Sequence, residues 1–435
     1  MTQRTRNQLI EIFRSSANNL ELFPLDNTST LERFAIEYDL DTLEELAALV
    51  EDSPSQSSKI IFSGHTGCGK STLLAALAQK LHDRFFVVRF SIANTIENAD
   101  VNHVTILFAI ALKIMDESEI QGVKISPKIK ESILNWFAKK TKTEEVKLAG
   151  QANVATDFLK LVGLKLQVDA VIRQEIKQEF ERKVSELVAK LNEIAAIANG
   201  ASGKNILVII DDIDKLEIPV IRDVFINNIK ALFLPNLQII YTLPISALHD
   251  KDIVPVLETE TSDRIVTMRV LKLYKKGESR HPDPTPVAEV VSTLEKLLAK
   301  RIDLELFEPD ALQKVIAYSG GVLREVIRIV QQSCRICLRQ LRSLSEDADV
   351  SNLKISLTVV EEAANNLRLQ MSRPLGKVDY EILKTVYQNY APDDPRDSEF
   401  LGLLKGLPVL EYRNAREWHD VHPLLWQLIQ ERLTS

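Results

Sequence analysis

Gly64-His65-Thr66-Gly67-Cys68-Gly69-Lys70-Ser71 fits G-x-x-x-x-G-K-[ST] without a mismatch. The apolar run Lys59-Ile-Ile-Phe62 precedes it, and a helical pattern from Thr72 to Leu81 follows. That strand–loop–helix context is what gives the pattern its meaning. Gly64, Gly67 and Gly69 let the backbone curl until its N–H groups face phosphate oxygens. The helix that follows adds its positive N-terminal end. In such a loop Lys70 reaches the β- and γ-phosphates, and the Ser71 hydroxyl ligates Mg²⁺. The expected nucleotide contacts are therefore Gly64, His65, Thr66, Gly67, Cys68, Gly69, Lys70, Ser71 and Thr72. His65 and Cys68 fill variable positions of the pattern, so their side chains carry no assigned redox or metal role.

Working outward, Phe85-Phe-Val-Val-Arg-Phe90 is a second strand, and strand signals return at Asn205–Ile210 and Leu237–Tyr241 around helical residues 219–233. Strands alternating with helices predict a parallel sheet covered on both faces. Ile206-Leu-Val-Ile-Ile-Asp-Asp-Ile-Asp214 is a buried strand ending in carboxylates. Asp211 is expected to hold Mg²⁺ through water, and Asp212 to orient an attacking water as general base. Asp214 and Lys215 are expected to form an ion pair nearby. Thr242, ending the next strand, is the candidate γ-phosphate sensor.

The chain has 435 residues, more than one compact core accommodates, so two to four domains are expected. Hydrophobic content of 45% and charged content of 26% are ordinary for a globular protein and exclude extensive disorder. A formal charge of −7 argues against a nucleic-acid-coated protein, while leaving room for a local basic patch. Three cysteines indicate a reducing compartment without structural disulfides. The first residues lack the apolar core of a signal peptide, and no apolar run reaches 18 residues, so a cytoplasmic protein is expected. Residues 101–200 read as a helical insert. Ile172, Ile176, Phe180, Val184, Leu187, Leu191 and Ile194 form one apolar face. The amphipathic stretch Phe158–Leu166 is expected to pack within that insert rather than on a membrane. There is no internal repeat.

After the turn-rich His281-Pro-Asp-Pro-Thr-Pro286, the chain reads as helix to about residue 370. Arg324 lies in the first turns of a helix opening after Gly320-Gly321, where a cation can point into a nucleotide cleft. Cys334-Arg-Ile-Cys337 has no second ligand pair, which disfavours zinc. Helices at Tyr380–Tyr387 and Ser398–Leu404 precede two strands, Val409–Tyr412 and Glu417–Val421, and a last helix begins at Pro423. This order predicts a winged-helix module with Arg413 and Arg416 at the wing tip, placed to meet phosphates.

Together these residues resemble the AAA+ and STAND branches of P-loop ATPases. The resemblance implies an α/β fold: a P-loop NTPase parallel sheet with a helical insert, followed by a helical lid and a winged-helix domain. The corresponding boundaries are 1–55 for an N-terminal helical region, 56–280 for the core, 281–372 for the lid and 373–435 for the winged helix. Ile210-Asp211-Asp212 looks like the paired acids of STAND proteins, and Gly321-Val-Leu-Arg324 is similar to the second-sensor motif of origin-initiator AAA+ proteins. Val421-His422-Pro423-Leu424 resembles the motif whose histidine holds ADP in resting STAND proteins. Two departures stand out: Leu243-Pro244 follows the sensor threonine where STAND proteins often carry arginine, and Leu323 replaces the usual lid proline. Arg222 and Arg264 are the candidates for an arginine finger. The resemblance implies an ATP- and Mg²⁺-dependent switch that forms a nucleotide-dependent homo-oligomer. With no repeat array for sensing, it would act through a partner protein in trans, in bacterial defence or signalling by analogy. The alternative is an initiator- or transposition-regulator-like ATPase binding duplex DNA through its winged helix. A metabolic kinase is disfavoured by the insert, lid and C-terminal module.

Overall fold

The computed structural model describes residues 4–22, 25, 27–53, 57–144, 146–147, 153–345, 348–350, 352–413 and 416–434. The chain divides into two compact units. One comprises residues 41–63 and 74–267, and the other residues 1–40, 64–73 and 268–435.

The first unit is built on a five-stranded sheet of β1 (Lys59–Gly64), β2 (Phe85–Ser91), β3 (Asn205–Asp211), β4 (Gln238–Pro244) and β5 (Ile265–Met268). Their order is β2-β3-β4-β1-β5. β2 and β4 both pair parallel with β3, and Ser91 stands opposite Asp211. β1 and β4 are buried along their whole length, so their centres, residues 60–62 and 239–241, are continuous apolar runs rather than alternating ones. Between β2 and β3 lies the expected helical insert. Its helix His103–Ile120 is buried on most faces, and Asn102 caps it through the Val104 and Thr105 amides. A side chain with only apolar neighbours all round belongs inside a core, and Phe108 and Phe137 pack there edge to face at 5.5 Å. The face read from Ile172 to Ile194 is buried in the same core. Residues 218–233 are helical but interrupted, with a π-helical turn at Asp223–Asn227. Among the described residues no helix is long and apolar enough to cross a membrane.

The second unit joins the N-terminal helices Arg6–Asn19 and Thr28–Phe34 to the lid helices Ala288–Ala299, Pro309–Ser319, Leu323–Ser343 and Leu357–Ser372. Leu9 and Phe13 share one core with Val326, Val330, Cys334, Cys337 and Val360. Cys334 and Cys337 are buried free thiols, and burial pushes the Cys337 thiol up to about 12. After Lys377–Asn389 and Ser398–Gly406 comes an antiparallel hairpin of β6 (Val409–Arg413) and β7 (Glu417–Val421), and then the helix Trp426–Thr434. Tyr412 and Trp418 stack across the hairpin at 4.5 Å. Arg280 ties the preceding loop to this module: its guanidinium lies 3.9 Å from the Tyr387 ring centre and pairs with the buried Asp420. Two residues of the wing tip, 414 and 415, lie outside the described residues.

Candidate functional site

Candidate functional residues fall in both units, and those of each unit are described by themselves. The phosphate loop begins where β1 ends. Gly67 and Gly69 have φ values of +82° and +105°, the left-handed region that favours glycine. Close neighbours impose the same choice. A Cβ on Gly67 would stand 2.7 Å from the Arg324 Cβ, and one on Gly69 would stand 1.7 Å from the Tyr38 hydroxyl. Lys70 is buried, and its ammonium donates to the Gly64 and His65 carbonyl oxygens, both at 2.9 Å.

Three segments of the same unit grip the loop at nearly consecutive residues. The Tyr38 hydroxyl donates to the Cys68 carbonyl at 3.0 Å. Burial, with Cys68 and Asp39 adding to it, raises the Tyr38 phenol well above its ordinary range, so it stays a neutral donor. The Arg324 amide, at the start of the lid helix, donates to the Gly67 carbonyl at 3.1 Å. The Glu411 amide in β6 donates to the His65 Nε2 at 2.9 Å. The lid turn is made by Gly320 and Gly321, at φ +61° and +83°. A Cβ on Gly321 would come within 1.7 Å of the Leu271 carbonyl oxygen.

His422 is fully buried at the end of β7. Its Nδ1 accepts the Leu424 amide at 3.2 Å, which leaves the ring proton on Nε2. That Nε2 has no partner among the described residues. Burial, with the positive charge of Arg328 adding to it, pushes its pKa down to about 3, so the ring is a neutral donor.

In the other unit, Asp211, Asp212 and Asp214 each offer a carboxylate oxygen, the three lying within 4.8 Å of one another. The Asp211 and Asp214 side chains are buried and that of Asp212 is nearly so. A compact set of hard oxygen donors suits a divalent cation such as Mg²⁺. Asp212 takes a left-handed turn at φ +69°, which aspartate tolerates. The ion pair expected for Asp214 and Lys215 is instead made by Asp212 and Lys215 at 2.6 Å. The short helical turn Ile213–Lys215 brings residues three apart onto one face, whereas neighbours diverge. The other oxygen of Asp212 accepts the Ser91 hydroxyl at 2.6 Å. Thr242 is buried, accepting from the Ile213 amide at 3.1 Å and donating to the Ile210 carbonyl at 3.2 Å. Its one proton is thus committed to a β3 carbonyl, and its oxygen holds the acidic turn. Arg222 pairs with Asp250 and Asp252, and Arg264 donates to the Thr261 carbonyl.

Tyr38 and Ser91 were not legible as site residues. The one signal for Ser91 is that it is the polar residue closing the β2 run; Tyr38 has none. At the wing, Arg413 is held by Glu411 at 2.5 Å and Glu417 at 3.2 Å.

Residues 41–242 match the family model described as the KAP family P-loop domain. No curated protein sequence matches the chain. Among solved structures, Cdc6p from Pyrobaculum aerophilum is similar at 13% identity and a TM-score of 0.40, covering 93% of this chain and 98% of that one. The Aeropyrum pernix ORC1 protein, solved in complex with DNA, is similar at 12% identity and 0.38, covering 92% and 94%. A RuvB variant from Thermotoga maritima gives 13% identity and 0.37, covering 95% and 98%.

Proposed function

We propose, on the premise that this chain carries a P-loop NTPase domain, that it is a nucleotide-controlled switch of the AAA+/STAND type. It binds ATP and hydrolyses it slowly, and the lid and C-terminal module respond to which nucleotide is present. The observation that carries this reading is the Arg324 amide bonded to the Gly67 carbonyl. The lid helix begins on the phosphate loop itself, so a phosphate entering the loop meets the lid directly.

In this reading Lys70 binds the β- and γ-phosphates, the loop amides from Gly64 to Thr72 orient them, and Arg324 senses the γ-phosphate. Ser71 and Asp211 hold Mg²⁺, which when bound neutralises charge on the phosphate oxygens. Asp212, aligned by Ser91, holds the proton of the attacking water. Thr242, the candidate γ-phosphate sensor, acts through the acidic turn by holding the Ile213 amide. His422 offers its Nε2 proton to the β-phosphate of ADP and so favours the resting state. Assembly with further copies or with a partner protein follows release of that contact.

DNA binding through the hairpin is the weaker reading, because Arg413 is already neutralised by Glu411 and Glu417. Sizing the protein with ADP and with a non-hydrolysable ATP analogue, with and without duplex DNA, tests the choice. A nucleotide-dependent size change without DNA supports the switch. An unchanged size with both nucleotides, together with salt-dependent DNA binding, overturns it.

A further inference from the structure

We propose that His65 is the positioning residue through which the C-terminal hairpin registers the state of the phosphate loop; this rests on the nucleotide-binding reading above. His65 occupies a position the loop pattern leaves free, yet it is only 2% exposed. It is engaged at both ends. Its carbonyl accepts the Lys70 ammonium at 2.9 Å, and its Nε2 accepts the Glu411 amide at 2.9 Å. An accepting ring nitrogen carries no proton, so the imidazole is neutral with its proton on Nδ1. Lys70 is the side chain that must turn to a β- or γ-phosphate, and its bonds to the His65 and Gly64 carbonyls are among those it exchanges in doing so. The peptide that loses the lysine is the one whose side chain holds β6.

The far end of the contact is held on several sides. The Glu411 carboxylate is 1% exposed, held by Arg413 and 3.5 Å from the His419 Nε2. Next to it, the Tyr412 hydroxyl donates to the Gly320 carbonyl at 2.7 Å. Gly320 opens the turn that leads to Arg324, whose amide returns to Gly67. The contacts form a closed circuit: His65 to Glu411, Tyr412 to Gly320, Arg324 to Gly67. A displacement of His65 therefore reaches the lid by a second route, independent of the Arg324 contact. Here His65 moves no proton and touches no reacting atom through its ring.

Amide hydrogen exchange across residues 409–421 tests this, for wild type, His65→Ala, His65→Gln and His65→Asn. Each is examined without nucleotide and at saturating ADP or non-hydrolysable ATP analogue, with saturation set by each variant's own measured affinity. In wild type the Glu411 amide should exchange at different rates with the two nucleotides. In His65→Ala its exchange should rise about two- to tenfold, as expected for losing one net hydrogen bond, and lose its dependence on nucleotide. Gln places an oxygen near the Nε2 position and should restore the dependence; Asn is too short and should not. If His65→Ala fails to fold, the Gln–Asn contrast decides. Nucleotide-dependent exchange that survives in Ala or Asn overturns the inference, as does a wild-type hairpin indifferent to nucleotides it binds. Failure of wild type to bind either nucleotide is a separate result, and sinks the switch reading itself.

Discussion

The Ser91 hydroxyl donates a 2.6 Å hydrogen bond to Asp212, the carboxylate proposed to orient water, while Lys215 holds the opposite oxygen at the same distance. A carboxylate fixed from both sides has one orientation to offer. Ser91→Ala should therefore slow ATP hydrolysis about tenfold or more with little change in KM, since positioned proton transfer contributes roughly 10²–10⁴-fold in rate. Ser91→Thr should recover most of the rate. A wild-type kcat in Ser91→Ala refutes the positioning role.

Asp212→Asn should bind ATP and lose hydrolysis, because the amide cannot take the proton. Asp211→Asn should instead weaken the Mg²⁺ dependence of nucleotide binding, followed with a fluorescent nucleotide across a Mg²⁺ titration. Identical behaviour of the two variants would end the division of labour between them. Lys70→Ala should greatly weaken triphosphate binding, and ordinary affinity with normal turnover would remove the basis of the reading.

His422→Asn keeps an acceptor for the Leu424 amide and deletes the Nε2 proton. ADP binding should weaken about tenfold or more, since a hydrogen bond to a charged group contributes about 1.5–3 kcal/mol. Oligomerisation should become easier by the same linkage. Calorimetry with ADP and sizing check both; wild-type values in a folded variant would leave His422 as a structural residue.

Gly67→Ala should destabilise the unit containing the lid by about 1–3 kcal/mol, through its positive φ and the nearby Arg324 Cβ. Denaturant unfolding measures this. A neutral effect would mean that the lid helix is not seated on the loop.

Asp420 and His422 give the C-terminal module two opposing pH dependences. Burial raises the Asp420 carboxyl from 3.8 to about 7 against the pull of Arg280, while burial lowers the His422 ring from 6.5 to about 3. Between about 4 and 7 the folded state holds the Asp420 proton that the unfolded state has lost, so this group's contribution falls as pH rises. Between about 3 and 6.5 the unfolded state holds the His422 proton that the folded state refuses, so that contribution rises with pH. Relative to wild type, Asp420→Asn should gain stability progressively as pH rises from 4 to 7, and His422→Asn should lose its advantage over the same direction. Parallel unfolding curves for all three proteins across that range would contradict both assignments.

The loop and the acidic strand were legible because each is a short contiguous pattern with its own chemistry. The hairpin and its following helix were legible because turn and Pro signals bracket them. What the sequence could not show are pairings that depend on the tertiary fold: Tyr38 with Cys68 across 30 residues, Ser91 with Asp212 across 121, and His65 with Glu411 across 346. Lys215 was assigned to the wrong aspartate because a linear reading favours neighbours over residues three apart on a turn. Thr242 shows the same limit: its place at a strand end marked a polar group without revealing its partners, the Ile213 amide and the Ile210 carbonyl.

The partition of the chain also bears on its synthesis. The phosphate loop belongs with residues 268–435, although residues 74–267 of the other unit are synthesised between them. At about 5–20 residues per second, Glu411 emerges roughly 20–70 s after His65, so the nascent loop spends that interval without its β6 contact. Any ribosomal pause between His65 and Glu411 prolongs that interval.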